Sequence, residues 1–174
     1  HYMGHAFMSC LKELSKEERN WEYVFTLQND DIQLKTNEEI VQMLKWLGLN
    51  LFKEEKLNNQ INSKGNPLSL ILSKGYVQTS LSRTFVDFIT QKLNLNKILE
   101  YLNTWYYGAD ELFFQTLQAS DELKAPNGFT HKCIERKVDV PYITRFSIWD
   151  DDLIFKCYSE YFRNSLCVFG VEDL

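Results

Sequence analysis

Apolar runs of two different periods alternate along this chain, and that alternation restricts its fold more than any other feature. In residues 3–17, MGHAFMSCLKELSKE, the apolar residues Met3, Phe7, Cys10, Leu11 and Leu14 recur at three- and four-residue steps, giving a helix one apolar face. WEYVFTL, residues 21–27, is aromatic and β-branched and is halted by the turn-forming QNDD, the pattern of a short buried strand. KTNEEIVQMLKWLG, residues 35–48, carries its own punctuation. Thr36 with Glu39 three residues on makes a capping box, Ile40, Leu44 and Leu47 line one face, and Gly48 can end the helix. From about Phe52 to Lys74 the chain turns polar and rich in Asn, Lys, Ser and Gly, which marks a long surface loop or a divergent lid. YVQTSLS then alternates like a strand, Ser82 can cap the next helix, and RTFVDFITQKLNLNKILEYLNT reads as one long helix or two abutting ones. A short helix in ELFFQTLQ, a turn at KAPNGF, a strand in KVDVPYITRFSIW and a last apolar run, LCVFGV, complete the order. Helices and strands in alternation favour an α/β layered fold.

With 174 residues, 44% of them apolar, the chain can bury one ordinary core, and a single domain is expected. The net charge is −5 and the 19 basic residues are scattered, so no basic stripe asks for nucleic acid. Nothing approaches the ~20 apolar residues that span a bilayer, and no signal peptide is recognisable, so the segment itself reads as soluble. His1 falls inside a helical pattern and Leu174 directly follows an apolar run, so both ends read as cut from something longer. Cys10, Cys133, Cys157 and Cys167 form no close Cys-x-x-Cys pair, which argues against a zinc ribbon or a thioredoxin-type site. Cys157 and Cys167, ten residues apart across a polar turn, suit either a small disulfide loop in an oxidising compartment or two buried thiols.

Three acidic groups are candidates for chemistry. Asp110 is placed to cap ELFFQTLQ with its carboxylate, which sets Glu111 in the first turn, where the positive helix end favours negative charge. A glutamate so held at the mouth of a cleft can serve as a general base, and the same pair also suits an ordinary helix start. Asp150 to Asp152 contain the Asp-x-Asp spacing that can hold a divalent metal on a diphosphate, and they equally suit a solvated turn after Trp149. Asp30 and Asp31 follow a strand, where carboxylates often line α/β clefts. No P-loop, dinucleotide-binding glycine motif or nucleophile elbow occurs.

The ordered set MSCLKEL, NWEYVFTLQNDDIQLKTNEEIV, VQTSLSRTFVDFI, GADELFFQTL, THKC, YITRFSIW and RNSLCVFGVEDL resembles the core-2/I-branching β-1,6-N-acetylglucosaminyltransferase family, in the form of its divergent nematode branch. The resemblance runs across essentially all of the chain except the 52–74 loop. It implies a partial GT-A type glycosyltransferase domain, a mixed sheet flanked by helices, with residues 1–174 as the acceptor and catalytic-base part and the nucleotide-binding half upstream. It also implies an inverting, metal-independent enzyme needing no cofactor, with UDP-GlcNAc as donor and a glycan on a glycoprotein as acceptor. Such enzymes are anchored in the Golgi membrane by an upstream segment and act on the lumenal side.

The family's Pro-Asp-Glu motif stands here as Gly108-Ala109-Asp110-Glu111, so the resemblance gives Glu111 the role of base, with Asp110 shaping the helix start. Cys157 resembles the first cysteine of the family's late disulfide, with Cys167 as its partner. Counting forward from Cys157 puts the diphosphate-binding arginine on Arg163, and counting back from Cys167 puts it on Asn164. Arg163 is preferred because only it carries charge. Trp149 matches the tryptophan of the acceptor pocket, whereas the aromatic expected two residues later is Asp151. Cys10 matches a cysteine whose partner would lie upstream, and Cys133 has no family counterpart. Two rival readings are a truncated relative that binds glycans without catalysis and a xylosyltransferase-like enzyme.

Overall fold

The computed structural model describes residues 2–16, 18, 20–27, 31–46, 70–105, 108–135 and 146–173. They fall into two compact units, His1–Lys137 and Val138–Leu174.

The first unit follows the periodicity closely. Helix α1 is Met3–Lys16, strand β1 is Tyr23–Phe25, and helix α2 is Asn37–Trp46. The expected capping box is formed at α2: Glu39 N–H donates to Thr36 Oγ1 at 3.2 Å, and Thr36 N–H donates to Glu39 Oε2 at 2.9 Å. Strand β2, Ser80–Ser82, pairs antiparallel with β1, and Val24 lies opposite Leu81. YVQTSLS is therefore strand only at its end. Ser82 then caps helix α3, Arg83–Gln91, by accepting from Phe85 N–H at 3.2 Å. The long apolar pattern resolves into two helices, α3 and α4, Asn96–Asn103, followed by α5, Asp110–Ala119.

Their apolar faces converge. Leu81, Phe85, Val86 and Ile89 meet Leu99, Leu102, Phe113, Phe114 and Leu117, with Met8 and Leu11 from α1 closing the cluster. Phe113 and Phe114 are almost wholly buried, with ring centroids 4.9 Å apart. A short 3₁₀ turn at Asp121–Leu123 and helix α6, His131–Glu135, end the described part of this unit. His131 Nδ1 lies 2.6 Å from Asp121 Oδ2 and ties those two elements together.

The second unit is small. Strands β3, Phe162–Arg163, and β4, Leu166–Cys167, form an antiparallel hairpin, and Trp149 adds a single bridge to the other side of β4 at Leu166. Asn164 and Ser165 between the strands both have positive φ, 50° and 65°, which makes a two-residue type I′ turn. Among the described residues its core is Ile148, Cys157 and Cys167 with Phe169 against them, and the disulfide Cys157–Cys167 is formed. Of the two readings the cysteine spacing allowed, the disulfide is the one observed.

The secondary structure is thus α/β in kind. The expected mixed sheet does not occur among the described residues, whose strand pairs are short and antiparallel. The strand expected in KVDVPYITRFSIW falls largely outside the described residues, as do Asp30, Gly48 and most of the 52–74 loop.

Candidate functional site

Glu111 stands in the first turn of α5, and the way that turn is built decides how its carboxylate is presented. Gly108 precedes the helix with φ of +72°, a conformation that side chains rarely adopt, and a Cβ there would come within 3.1 Å of Glu111 Oε2. The first turn closes tightly, with Glu111 N–H donating to Gly108 O at 3.2 Å and Leu112 N–H to Ala109 O at 3.3 Å. Ala109 occupies the cap position, and no side chain among the described residues caps the helix. Asp110 is therefore not the capping residue that its position before ELFFQTLQ suggests. The helix begins one residue earlier because the glycine turn already bends the backbone into it, leaving Asp110 and Glu111 as first-turn acids that complement the positive helix end.

Residues 71–76, at the end of the expected loop, lie along α5 and are laced to it. Ile71 N–H donates to Ser120 Oγ at 3.1 Å, Ser73 N–H to Thr116 Oγ1 at 3.1 Å, and Gly75 N–H to Glu111 O at 2.9 Å. Gln115 Nε2 donates to Tyr76 O. This lacing delivers Lys74, whose Nζ sits 3.0 Å from Glu111 Oε2. Oε2 itself is shut off from solvent and accepts no hydrogen bond from the described residues, so the lysine meets it as a charge without hydrogen-bond alignment. The Glu111 side chain as a whole keeps 28% exposure, which must lie on its other atoms.

In the second unit, Leu166 pairs with Arg163 on one side and with Trp149 on the other. Directly opposed residues of antiparallel strands project to the same face, so Trp149, Leu166 and Arg163 form one row across the sheet. Two strand spacings separate the tryptophan from the arginine, about 10 Å. Cys167 alternates to the opposite face, into the small core. Arg163 ends β3 and is exposed, while Asn164 is spent on the turn at φ of +50°. Asp152 Oδ1 accepts from the N–H groups of Ile154 and Phe155 at 2.9 and 3.0 Å, so this carboxylate closes a turn, as the solvated-turn reading of 150–152 has it. Asp151 is exposed.

Lys74 is the residue that sequence reasoning missed. Its partner lies 37 positions away, and only the lacing of residues 71–76 along α5 brings the two together. Cys10 is free and exposed, and the side chain of Cys133 lies outside the described residues.

Comparison with known proteins gives the class first. The beta-1,3-galactosyl-O-glycosyl-glycoprotein beta-1,6-N-acetylglucosaminyltransferase of Bos taurus is 28% identical over 197 residues, covering 97% of this chain and 45% of that protein. The Homo sapiens protein of the same name is 27% identical, again across 97% of this chain and 45% of its own length. The N-acetyllactosaminide beta-1,6-N-acetylglucosaminyl-transferase of Homo sapiens is 28% identical over 137 residues, which are 64% of this chain and 34% of that protein. By name these relatives are glycosyltransferases. A family model described as Core-2/I-Branching enzyme matches residues 1–174, and the chain belongs to that family. The chain spans less than half the length of the curated relatives it matches.

Proposed function

We propose that the protein is an inverting glycosyltransferase of GT-A type. It transfers N-acetylglucosamine from UDP-GlcNAc to a sugar hydroxyl, forming a β-1,6 branch on an O-glycan or a related chain. Residues 1–174 supply the base and acceptor side of that enzyme. The observation that carries this reading is the Glu111 carboxylate, held at a helix start with part of its side chain open, in a chain of the Core-2/I-branching family.

Glu111 takes the proton from the acceptor hydroxyl as its oxygen attacks the anomeric carbon. The new C–O bond forms on the face opposite the leaving group, the bond from that carbon to the diphosphate oxygen breaks, and UDP departs with the electron pair. A single displacement inverts the anomeric configuration. Arg163 offers a planar, permanently charged guanidinium to the diphosphate, the work that a divalent cation does in other transferases. Trp149 offers a ring face on which an acceptor sugar stacks. No cofactor or metal enters this scheme. The Cys157–Cys167 disulfide supports an oxidising compartment, and the lumenal side of the Golgi membrane, reached through an upstream anchor, is the place that fits. No described helix is long and apolar enough to cross a membrane.

Calorimetry with UDP-GlcNAc on the full-length protein in EDTA tests donor and metal independence together. Saturable binding in EDTA is expected. Binding that returns only with added Mn²⁺ or Mg²⁺, or none at all, contradicts the scheme.

A further inference from the structure

We propose that Lys74 is a positioning residue for the Glu111 base. Its ammonium holds Oε2 of the carboxylate, and the acceptor proton is delivered to Oε1. The inference rests on the reading of Glu111 as base and goes beyond it, because it assigns the two carboxylate oxygens different tasks and gives the second task to a residue outside the helix.

Four observations converge on it. Lys74 Nζ is 3.0 Å from Oε2, within ion-pair distance. Oε2 is screened from solvent although the side chain as a whole is 28% exposed, so any carboxylate oxygen that a substrate reaches is Oε1. Gly108 also stands close, since a Cβ added there would lie 3.1 Å from Oε2, so this oxygen has both a lysine and a bare glycine as near neighbours. The fourth is the register. Gly75 N–H binds the carbonyl of Glu111 itself, and Ser73 and Tyr76 on either side are tied to Thr116 and Gln115, so Lys74 is placed by backbone geometry. Gly75 is required for that approach, since a Cβ there would meet Gln115 Cγ at 2.8 Å.

The energetic size of such a pair separates a positioning role from a structural one. Lys74 is 71% exposed, so water takes the place of its ammonium beside Oε2 when the lysine is removed, and an ion pair with so exposed a partner contributes little to folding. A base displaced from its attack geometry, by contrast, loses rate steeply. Removing the lysine therefore acts on turnover and leaves stability alone.

The test compares Lys74→Met, Lys74→Arg and Gly75→Ala in the full-length enzyme, assayed with UDP-GlcNAc and a β-1,3-galactosyl O-glycoside acceptor. Lys74→Met should lower kcat about tenfold with both KM values within about twofold of the parent and an unchanged Tm. Lys74→Arg should restore most of kcat, and Gly75→Ala should reproduce the loss with the lysine still present. In a Glu111→Gln background, Lys74→Met should have no further effect. A Lys74→Met enzyme with parental kcat overturns the proposal. So does one whose defect lies in KM at parental kcat, or one that arginine does not rescue. If Glu111→Gln is inert while Lys74→Met is fully active, this proposal alone fails. If Glu111→Gln is itself active, or the parent transfers nothing, the reading of the base fails and takes this one with it.

Discussion

At the scale of single residues, the choice between Arg163 and Asn164 shows how conformation divides work between neighbours. Asn164 sits at φ of +50° inside a two-residue turn, a place where Asn is favoured for backbone reasons alone. Arg163 ends a strand, in line with Trp149 across Leu166. On the diphosphate role proposed for Arg163, replacing it by Ala should raise the donor KM about tenfold, as expected for loss of a charge-assisted contact. Asn164→Gly keeps the turn and should leave that KM unchanged. Steady-state kinetics with varied UDP-GlcNAc checks both, and the reverse pattern would move the diphosphate ligand to the turn. In the sequence, charge alone favours Arg163. The row it shares with Trp149 is not legible there, because strand register is set by pairing across the hairpin. Asp110 passes for a cap in the sequence for a related reason, since the positive φ of Gly108 decides where the helix starts.

At the scale of elements, the most legible pieces are those whose signals are local. The periods of α1, α3, α4 and α5, the Ser82 cap and the Thr36–Glu39 box lie within a few residues of the structure they specify. Glu39 is held below the ordinary glutamate range, first by the Thr36 backbone N–H, which outweighs an opposing desolvation, with Lys35 and the Thr36 hydroxyl adding to the lowering. A carboxylate whose folded pKa is depressed stabilises the fold above its unfolded pKa, and that contribution is lost as pH falls through the folded value. An NMR titration of the Thr36 amide should therefore show the α2 cap releasing at a pH below the ordinary glutamate range. A midpoint at or above that range would contradict the capping geometry. The β3–β4 hairpin rests on a different support. Among the described residues three buried side chains pack in its core, a small apolar cluster, and the disulfide closes the loop around them. Cys157→Ser with Cys167→Ser should cost about 2–3 kcal/mol locally. Hydrogen exchange at the Cys167 and Val168 amides, which bind Ile148 O and Tyr161 O, reads that loss. Unchanged protection would show that the disulfide is dispensable.

At the scale of the whole molecule, the chain is a large helical unit that carries the carboxylate and a small disulfide-closed unit that carries the aromatic and the guanidinium. Alternation of helix and strand patterns is enough to read α/β, but strands of two and three residues leave too little sequence to foretell their partners. The Lys74 contact is equally hidden, because it depends on residues 71–76 running along a helix some forty positions later in the chain. The helical unit depends on its packed rings: Phe113→Ala should cost about 3–5 kcal/mol, read by denaturant unfolding.

The proposed mechanism turns on Glu111 as the base of a sugar transfer, and turnover by the full-length Glu111→Gln enzyme is the decisive measurement. The isosteric amide keeps the shape of the first turn of α5, so folding and UDP-GlcNAc binding should persist while kcat falls by about 10²-fold or more. A Glu111→Gln enzyme turning over within severalfold of the parent would overturn the assignment and return Glu111 to the role of an ordinary first-turn acid.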